Sequence, residues 1–375
     1  MKILFVTTIS TTINAFLIPH IKMLVNEGHQ IDLACNDISG IDHQIISLGC
    51  KLHPIKFNRS LYDKTNLIAY RQIRKIVLKG EYELIHTHTP IASFLTRIAC
   101  INTHNIKIIY TAHGFHFYKN APLINWLLYY PVEKILSRYT EVIITINKED
   151  YERAKKNFKS KYVRFVNGVG LNLDKFKRSN QADKIQLKKK YGYHENDFIL
   201  IYAAEHSYRK HQDLLINAIK ILKIEIPDIK LLLAGTGDLA RNYQKQTKRL
   251  DIENHVHFLG YQKNINELLS ISDIAVSSSR QEGLPVNIME AMAMGLPVIA
   301  TNCRGNRDLI THGYNGLIVD FDDGQQMAKA IKHLYFNKTL QITYGKNGLN
   351  FVSRYSIDKI LKEMKKIYKC GMFSM

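Results

Sequence analysis

Residues Ser278–Ala300 read SSRQEGLPVNIMEAMAMGLPVIA, and the order of their parts sets the kind of sheet to which they belong. The Gly283-Leu284-Pro285 turn leads into an apolar stretch that starts near Pro285, and proline suits the first turn of a helix. A short Pro-Val strand follows at Pro297–Ala300. Glu282 then lies on a loop at a helix N-terminus, beside backbone N–H groups that have no intrahelical partner. Such a place binds phosphate or sugar oxygens through oriented donors and the helix dipole. Glu290 projects from the first turns of the same helix, where a carboxylate can accept both hydroxyls of a ribose. Two solvated glutamates on a surface helix would show the same spacing. The glycine, the following strand and the α/β setting favour a binding site.

Working outward, short β-branched runs alternate with longer amphipathic stretches along the whole chain. Strands are expected at Lys2–Thr7, Gln30–Cys35, Leu84–His88, Lys107–Thr111, Val142–Ile146 and Val163–Val166. A second series covers Phe198–Ala203, Lys230–Ala234, Val256–Leu259, Ile274–Ser277, Pro297–Ala300 and Leu317–Val319. Several are apolar at consecutive positions, as in parallel sheets covered on both faces. Helices such as Ala15–Glu27 and Asp213–Glu225 lie between them. Residues 167–192 lose the apolar runs and are read as a linker plus the first helix of a second domain. The expected organisation is α/β, with two doubly wound domains at 1–170 and 171–355. A C-terminal helix near 356–375 is expected to pack back on the first domain. Ligands of such sheets sit at the carboxyl ends of the strands, and two facing domains enclose a deep cleft.

The composition narrows the function classes. The 375 residues are 46% hydrophobic and carry 52 Lys+Arg against 33 Asp+Glu, a net charge of +19. That excludes a disordered chain and points to anionic partners. The charge divides almost evenly, +10 over residues 1–175 and +9 over the rest, so it is not a basic tail. Five cysteines without a CxxC pair argue against a disulfide framework. The opening MKILFVTTIS turns polar too soon for a signal-peptide core, and no apolar run reaches the roughly 18 residues of a spanning helix. A cytoplasmic protein, peripheral on the inner face of the membrane, is the expectation.

The pattern E-G-L-P-x4-E-A-M-A-x-G-x-P-V-I resembles the donor-site signature of glycosyltransferase family 4, the retaining nucleotide-sugar enzymes of GT-B fold. IHTHTP (85–90), TAHGFHFYKNAP (111–122), NWLLYYPVEK (125–134), ITINKEDY (144–151) and NGVGLNLDKF (167–176) fit the same family. The HGFHF and NWLLYYPVEK segments resemble the branch that builds bacterial capsule and exopolysaccharide repeat units. The resemblance implies that Glu282 holds the donor sugar's hydroxyls, with the amides of Gly283 and Leu284 near the sugar and diphosphate. It implies that Glu290 binds the ribose, that Lys210 neutralises the diphosphate with Arg209 beside it, and that His113 lies near the reacting sugar. A preorganised cation of this kind typically lowers a barrier by ~3–4 kcal/mol. No metal or other cofactor is required if Lys210 and Arg209 cover the diphosphate. The sequence departs from the family's pattern at Glu205, where many members place an arginine that grips the phosphate, so Arg209 is expected to take that part. It departs again at TTISTTIN (7–14), which replaces a Gly-Gly loop.

Three other signals compete. Gly235-Thr236-Gly237-Asp238-Leu239-Ala240 fits G-x-G-x-x-A and hints at a dinucleotide enzyme, but it does not follow the first strand of either half, where that fingerprint belongs. The same loop is expected to approach the donor nucleotide through Gly235. The pairs His86/His88, His113/His116 and His255/His257 suggest metal ligation, yet no third ligand stands at a diagnostic spacing. The basic clusters at 71–79, 153–164 and 184–190 lack a nucleic-acid reading module and suit an anionic membrane surface better. Trp126, Tyr129 and Tyr130 fit either an interfacial segment holding the enzyme near its acceptor or a core helix.

The sequence thus leads to a retaining hexosyl- or N-acetylhexosaminyltransferase that uses a UDP-sugar donor and a lipid-linked saccharide acceptor in cell-surface polysaccharide synthesis. Its partners would be that donor, that acceptor and an anionic membrane, with no nucleic acid. The alternatives are a nucleotide-sugar epimerase of the same architecture and a non-catalytic basic binding protein.

Overall fold

The computed structural model describes residues 1–373 apart from 61, 104, 178 and 179. Two compact units appear: Met1–Gly170 joined by Ile357–Met375, and Leu171–Ser356. The first holds the strands β1 (Lys2–Ile9), β2 (Gln30–Asn36), β3 (Lys51–Pro54), β4 (Leu84–His88), β5 (Lys107–Ala112), β6 (Val142–Thr145) and β7 (Tyr162–Phe165). They form one sheet in the order β3-β2-β1-β4-β5-β6-β7. The second holds β8 (Phe198–Ala203), β9 (Ile229–Ala234), β10 (Val256–Gly260), β11 (Ile274–Ser277), β12 (Val298–Thr301) and β13 (Gly316–Val319), in the order β10-β9-β8-β11-β12-β13. Every named strand pair is parallel. The strand order reverses between β1 and β4 in one unit and between β8 and β11 in the other. Helices flank each sheet, so both units are Rossmann-like.

Strand β1 shows why the apolar runs are continuous. Successive side chains point to opposite faces, and each face has its own cover. Ile3 and Phe5 pack with Ile360, Met364, Ile367 and Tyr368 of the C-terminal helix Ile357–Phe373. Leu4 and Val6 pack with Ala69, Ile73 and Val77 of the helix Thr65–Lys79. Burying one such side chain contributes about 1.5–3 kcal/mol, so a polar residue at any of these positions is costly.

The sequence reading missed β3. Its four residues, KLHP, end in proline and carry little β-branching, but an edge strand tolerates both. The pairing of β3 with β2 brings His53 within 3.2 Å of the buried Asp32, which also accepts a hydrogen bond of 2.6 Å from Tyr82. The helix expected at Ala15–Glu27 begins instead as a π-helical turn, Ile13–Leu17, and is α-helical over Ile18–Asn26. The helix expected near Pro285 spans Val286–Ala293, with Pro285 at its N-cap.

The helix Leu123–Leu136 is held by a buried charge. Glu133 accepts a 2.7 Å hydrogen bond from Arg97, which is fully buried and lies 4.3 Å from the Tyr110 ring centroid. Removing one partner leaves the other charge buried and unmatched. Glu133→Ala is expected to destabilise the first unit by about 3–5 kcal/mol, read as a lowered urea midpoint. A midpoint within error of wild type would show that the pair does not anchor this helix.

Candidate active site

The residues singled out in 278–300 sit at the β8/β11 reversal. Two loops leave the carboxyl ends of these strands, 204–211 and 278–285, and hydrogen bonds lace them together. The Arg280 amide donates to the Arg209 carbonyl at 2.9 Å, and the Ser278 hydroxyl donates to the Lys210 carbonyl at 2.8 Å. Tyr202, at the end of β8, shares a 2.6 Å hydrogen bond with Ser279. Arg304 donates at 3.0 Å to the Glu282 carbonyl. Gly305 has no room for a side chain, since a Cβ there would stand 2.7 Å from the Gly283 carbonyl oxygen.

This frame buries Glu282, only 7% exposed, and surrounds it with donors. Its Oε1 receives hydrogen bonds from Lys210 Nζ and Ser279 Oγ, each at 2.5 Å, while Arg209 Nη1 stands 3.4 Å from Oε2. Burial works to raise the carboxyl pKa, but the Lys210 and Arg209 charges and the two short hydrogen bonds outweigh it and hold the pKa below the ordinary range. The site therefore contains an ionised carboxylate between two cations, with Oε2 the less engaged oxygen. Gly283 and Leu284 follow it directly and lead through Pro285 into the helix. Glu290, one turn further on, is half-buried, and burial alone pushes its pKa up to about 7.

Gly235 and Gly237 follow β9 with φ of 153° and 157°. Side chains there would meet the carbonyl oxygens of Ala204 and His206, with Cβ at 2.0 and 2.3 Å. The glycines thus let the β9 loop press against the β8 loop, and the His206 amide donates to the Thr236 carbonyl at 2.8 Å. Gly235, Asp238, Arg241, Gln244 and the buried His206 line a pocket of about 580 Å³. The dinucleotide hint is explained by this packing.

In the first unit His113 follows β5, and its Nε2 lies 3.1 Å from Nδ1 of His88, the last residue of β4. His86, two residues earlier, bonds the Tyr368 hydroxyl at 2.6 Å and Thr111 at 2.8 Å, while His20 donates to the Val169 carbonyl at 2.9 Å. The four histidines line a small cavity of about 20 Å³ whose walls are otherwise mostly apolar. Burial lowers all four pKa values, that of His113 to about 4. The other pairs are engaged separately: His116 stacks 4.5 Å from Tyr129, His255 bonds the Ile229 carbonyl, and His257 bonds Tyr193. Among the described residues, no three His, Cys, Asp or Glu side chains group as a metal site.

Trp126, Tyr129 and Tyr130 turn toward the protein. Trp126 and Tyr130 pack on Phe117 with centroids 5.8 and 5.4 Å away, and the Arg153 guanidinium lies 4.7 Å from the Trp126 ring. The outward side of their helix is aliphatic instead, with Leu123 80%, Ile124 56% and Leu127 72% exposed. Among the described residues no helix is long and apolar enough to cross a membrane. A second pocket of about 240 Å³ opens at the β1/β4 reversal, lined by Thr8, Thr12, Arg59, Thr89, His116 and Tyr129. Sequence reasoning named His88 only as half of a candidate metal pair or as a cleft-lining or structural residue, and it did not find Ser279 or Arg304, whose parts depend on contacts between distant segments.

Two Rossmann-like units, each with a parallel sheet that reverses its strand order, are the architecture of GT-B glycosyltransferases. The model for group 1 glycosyl transferases matches residues 183–351, that for the glycosyl transferase 4-like group matches residues 2–147, and the chain belongs to this glycosyltransferase family. A putative glycosyltransferase, EpsD, of Bacillus subtilis is 38% identical over 374 residues, covering 99% of this chain and 97% of the relative. The UDP-Gal:alpha-D-GlcNAc-diphosphoundecaprenol alpha-1,3-galactosyltransferase of Escherichia coli is 28% identical, covering 92% and 90%. The Anabaena HepE structure with UDP and glucose superposes with a TM-score of 0.81 at 21% identity, covering 99% of this chain and all of that one. The protein is a glycosyltransferase that takes its sugar from a nucleotide-sugar donor.

The buried histidines make a prediction about acid stability. Their pKa values are lower in the folded chain than in the unfolded one, so below about pH 6.5 the unfolded state binds more protons. Stability is then lost as pH falls, by up to ~1.4 kcal/mol per pH unit for each of His20, His86 and His88. Urea midpoints at pH 7.5, 6.5 and 5.5 should fall a little over the first step and much more steeply over the second. A level profile throughout would mean that these rings are not held neutral.

Proposed function

We propose that the chain is a retaining transferase that moves a hexose or N-acetylhexosamine from a UDP-sugar to a lipid-linked saccharide, in cell-surface polysaccharide synthesis at the inner face of the membrane. The observation that carries the reading is Glu282 held ionised by Lys210 and Arg209 where β8 and β11 diverge. Breaking a sugar–diphosphate bond moves negative charge onto the leaving group and leaves positive charge at the anomeric carbon. Lys210, with Arg209 in place of the arginine that Glu205 displaces, meets the first. The Glu282 carboxylate favours the second and takes the sugar's hydroxyls on Oε2, its less engaged oxygen. Gly283 and Leu284 offer amides beside the diphosphate, Glu290 takes the ribose hydroxyls, and the pocket at Gly235 accommodates the base. The acceptor hydroxyl attacks from the face that the diphosphate leaves, and the departing phosphate takes its proton, so no separate general base is needed. His113 contributes a hydrogen bond to the sugar.

The donor-binding part is assigned to the second unit and the acceptor-binding part to the first. Supporting the acceptor reading is the pocket at the β1/β4 reversal, where hydroxyls, Arg59 and a His116–Tyr129 stack suit a sugar bearing an anionic group. The exposed Leu123, Ile124 and Leu127 suit a bilayer interface, where the lipid of such an acceptor would sit. The name of the Escherichia coli relative describes a transfer of this class, to a diphosphoundecaprenol-linked sugar.

Glu282→Ala and Lys210→Ala are each expected to lower UDP-sugar hydrolysis and transfer by about 10²–10³-fold, with circular dichroism unchanged. Activity near wild type in both would overturn the site assignment. Thermal shifts should show stabilisation by UDP and little by GDP or ADP. The ribose assignment has its own pH signature. Glu290 is protonated below about pH 7 and can accept two hydroxyls only once it ionises. Affinity for a UDP-sugar, whose diphosphate does not titrate in this range, should therefore tighten as pH rises from 6 to 8, and Glu290→Gln should abolish that dependence. The same pH dependence in the variant would exclude Glu290 as its source.

A further inference from the structure

We infer that His88 is a positioning residue that sets the tautomer of His113: its Nδ1–H donates to Nε2 of His113, so that the His113 proton stands on Nδ1. The inference rests on the reading of His113 as an active-site residue, and it names the group that orients this ring. The two facing nitrogens are 3.1 Å apart, within hydrogen-bond distance. Two neutral imidazoles in this geometry share one proton, which leaves two arrangements. In the first, His88 donates and its Nε2 is a bare nitrogen. In the second, His113 donates, and the His88 proton must stand on Nε2.

The surroundings of His88 choose between them. It is 3% exposed, and its Nε2 is buried without a hydrogen-bond partner. The Phe5 ring stacks on it, with centroids 5.9 Å apart and planes 16° from parallel. The neighbouring titratable groups are already committed. His86, whose ring centroid is 4.1 Å away, uses both nitrogens on Tyr368 and Thr111, and His20 uses Nε2 on the Val169 carbonyl. A buried N–H without an acceptor is among the rarest and costliest arrangements in proteins, more so than an unfilled acceptor. The cavity beside His88 is walled mainly by Phe5, Leu17, Ile144, Val166 and Met364 and leaves a water too few polar partners to serve as that acceptor. The second arrangement therefore places an unmatched N–H at Nε2 of His88; the first avoids it. Burial of both rings keeps the pair neutral, as the arrangement requires.

The consequence concerns what His113 can offer a ligand. With Nε2 occupied by His88, its remaining nitrogen carries a proton. It can donate to a sugar hydroxyl or a phosphate oxygen, but it cannot take a proton as a general base.

The test is the histidine tautomer itself, read by long-range proton–nitrogen correlation on the full-length protein with ¹⁵N-labelled histidine at pH 7.5. The His113 signals are assigned by their loss in His113→Gln. The expected result is the Nδ1–H pattern for His113 in wild type, kept in His88→Asn, whose amide N–H stands near the position of Nδ1. In His88→Leu it should shift toward Nε2–H. An Nε2–H pattern in wild type overturns the inference without any variant, and so does an unchanged His113 pattern in a folded His88→Leu protein. In turnover, His88→Leu should lose at least tenfold in kcat with a nearly unchanged donor KM, and His88→Asn should recover most of it. Tautomers as expected with wild-type turnover in His88→Leu would overturn the active-site reading of His113 and leave the tautomer assignment standing.

Discussion

A buried carboxylate stays ionised only while cations and hydrogen bonds replace the water it has lost. At Glu282 that requirement ties two loops together. Lys210 and Arg209 come from the loop after β8, Glu282 and Ser279 from the loop after β11, and neither loop reaches this arrangement without the other. The neighbouring contacts serve the same end. Tyr202 orients Ser279, Arg304 holds the Glu282 carbonyl, and Gly305 lets the Gly283 backbone come close. The result is a carboxylate whose charge the fold itself fixes, the kind of preorganised group that needs little reorganisation.

How much of this was legible in the sequence varied with the range of the interaction. The strands were readable because a doubly covered parallel sheet writes itself as consecutive apolar residues, and Leu84–His88, Phe198–Ala203 and Ile274–Ser277 have the bounds that the pattern gave. Strand β3 was not, because an edge strand needs neither the apolar run nor the β-branching that carries the signal. In the site, Glu282, Gly283 and Glu290 could be picked out because turn, carboxylate and helix are contiguous. Ser279 and Arg304 could not, because their value lies in contacts made across the fold. The helix Leu123–Leu136 shows a further limit. Its sequence is apolar on nearly every side, so periodicity could not tell which residues face in. The buried Arg97–Glu133 pair settles its rotation and turns Trp126 inward while Leu123 and Leu127 face out.

The two units illustrate different uses of burial. Around Glu282, burial is opposed by charge and the group remains ionised. Around His20, His86, His88 and His113 it meets no opposing charge, and the rings remain neutral. The first arrangement suits a step in which charge separates. The second suits a step in which hydrogen bonds must keep their direction.

The first unit is discontinuous, and this bears on how the chain matures on the ribosome. Ile3 and Phe5 emerge before the second unit, yet part of their cover, Ile360, Met364 and Tyr368, emerges after it. At about 5–20 residues per second, the intervening Leu171–Ser356 takes on the order of 10–40 s to be made. For that interval one face of the nascent first sheet lies partly bare while the second unit, continuous in sequence, can complete itself. The closing helix therefore acts as a latch on synthesis: His86 gains its Tyr368 hydroxyl only after Leu171–Ser356 has been made.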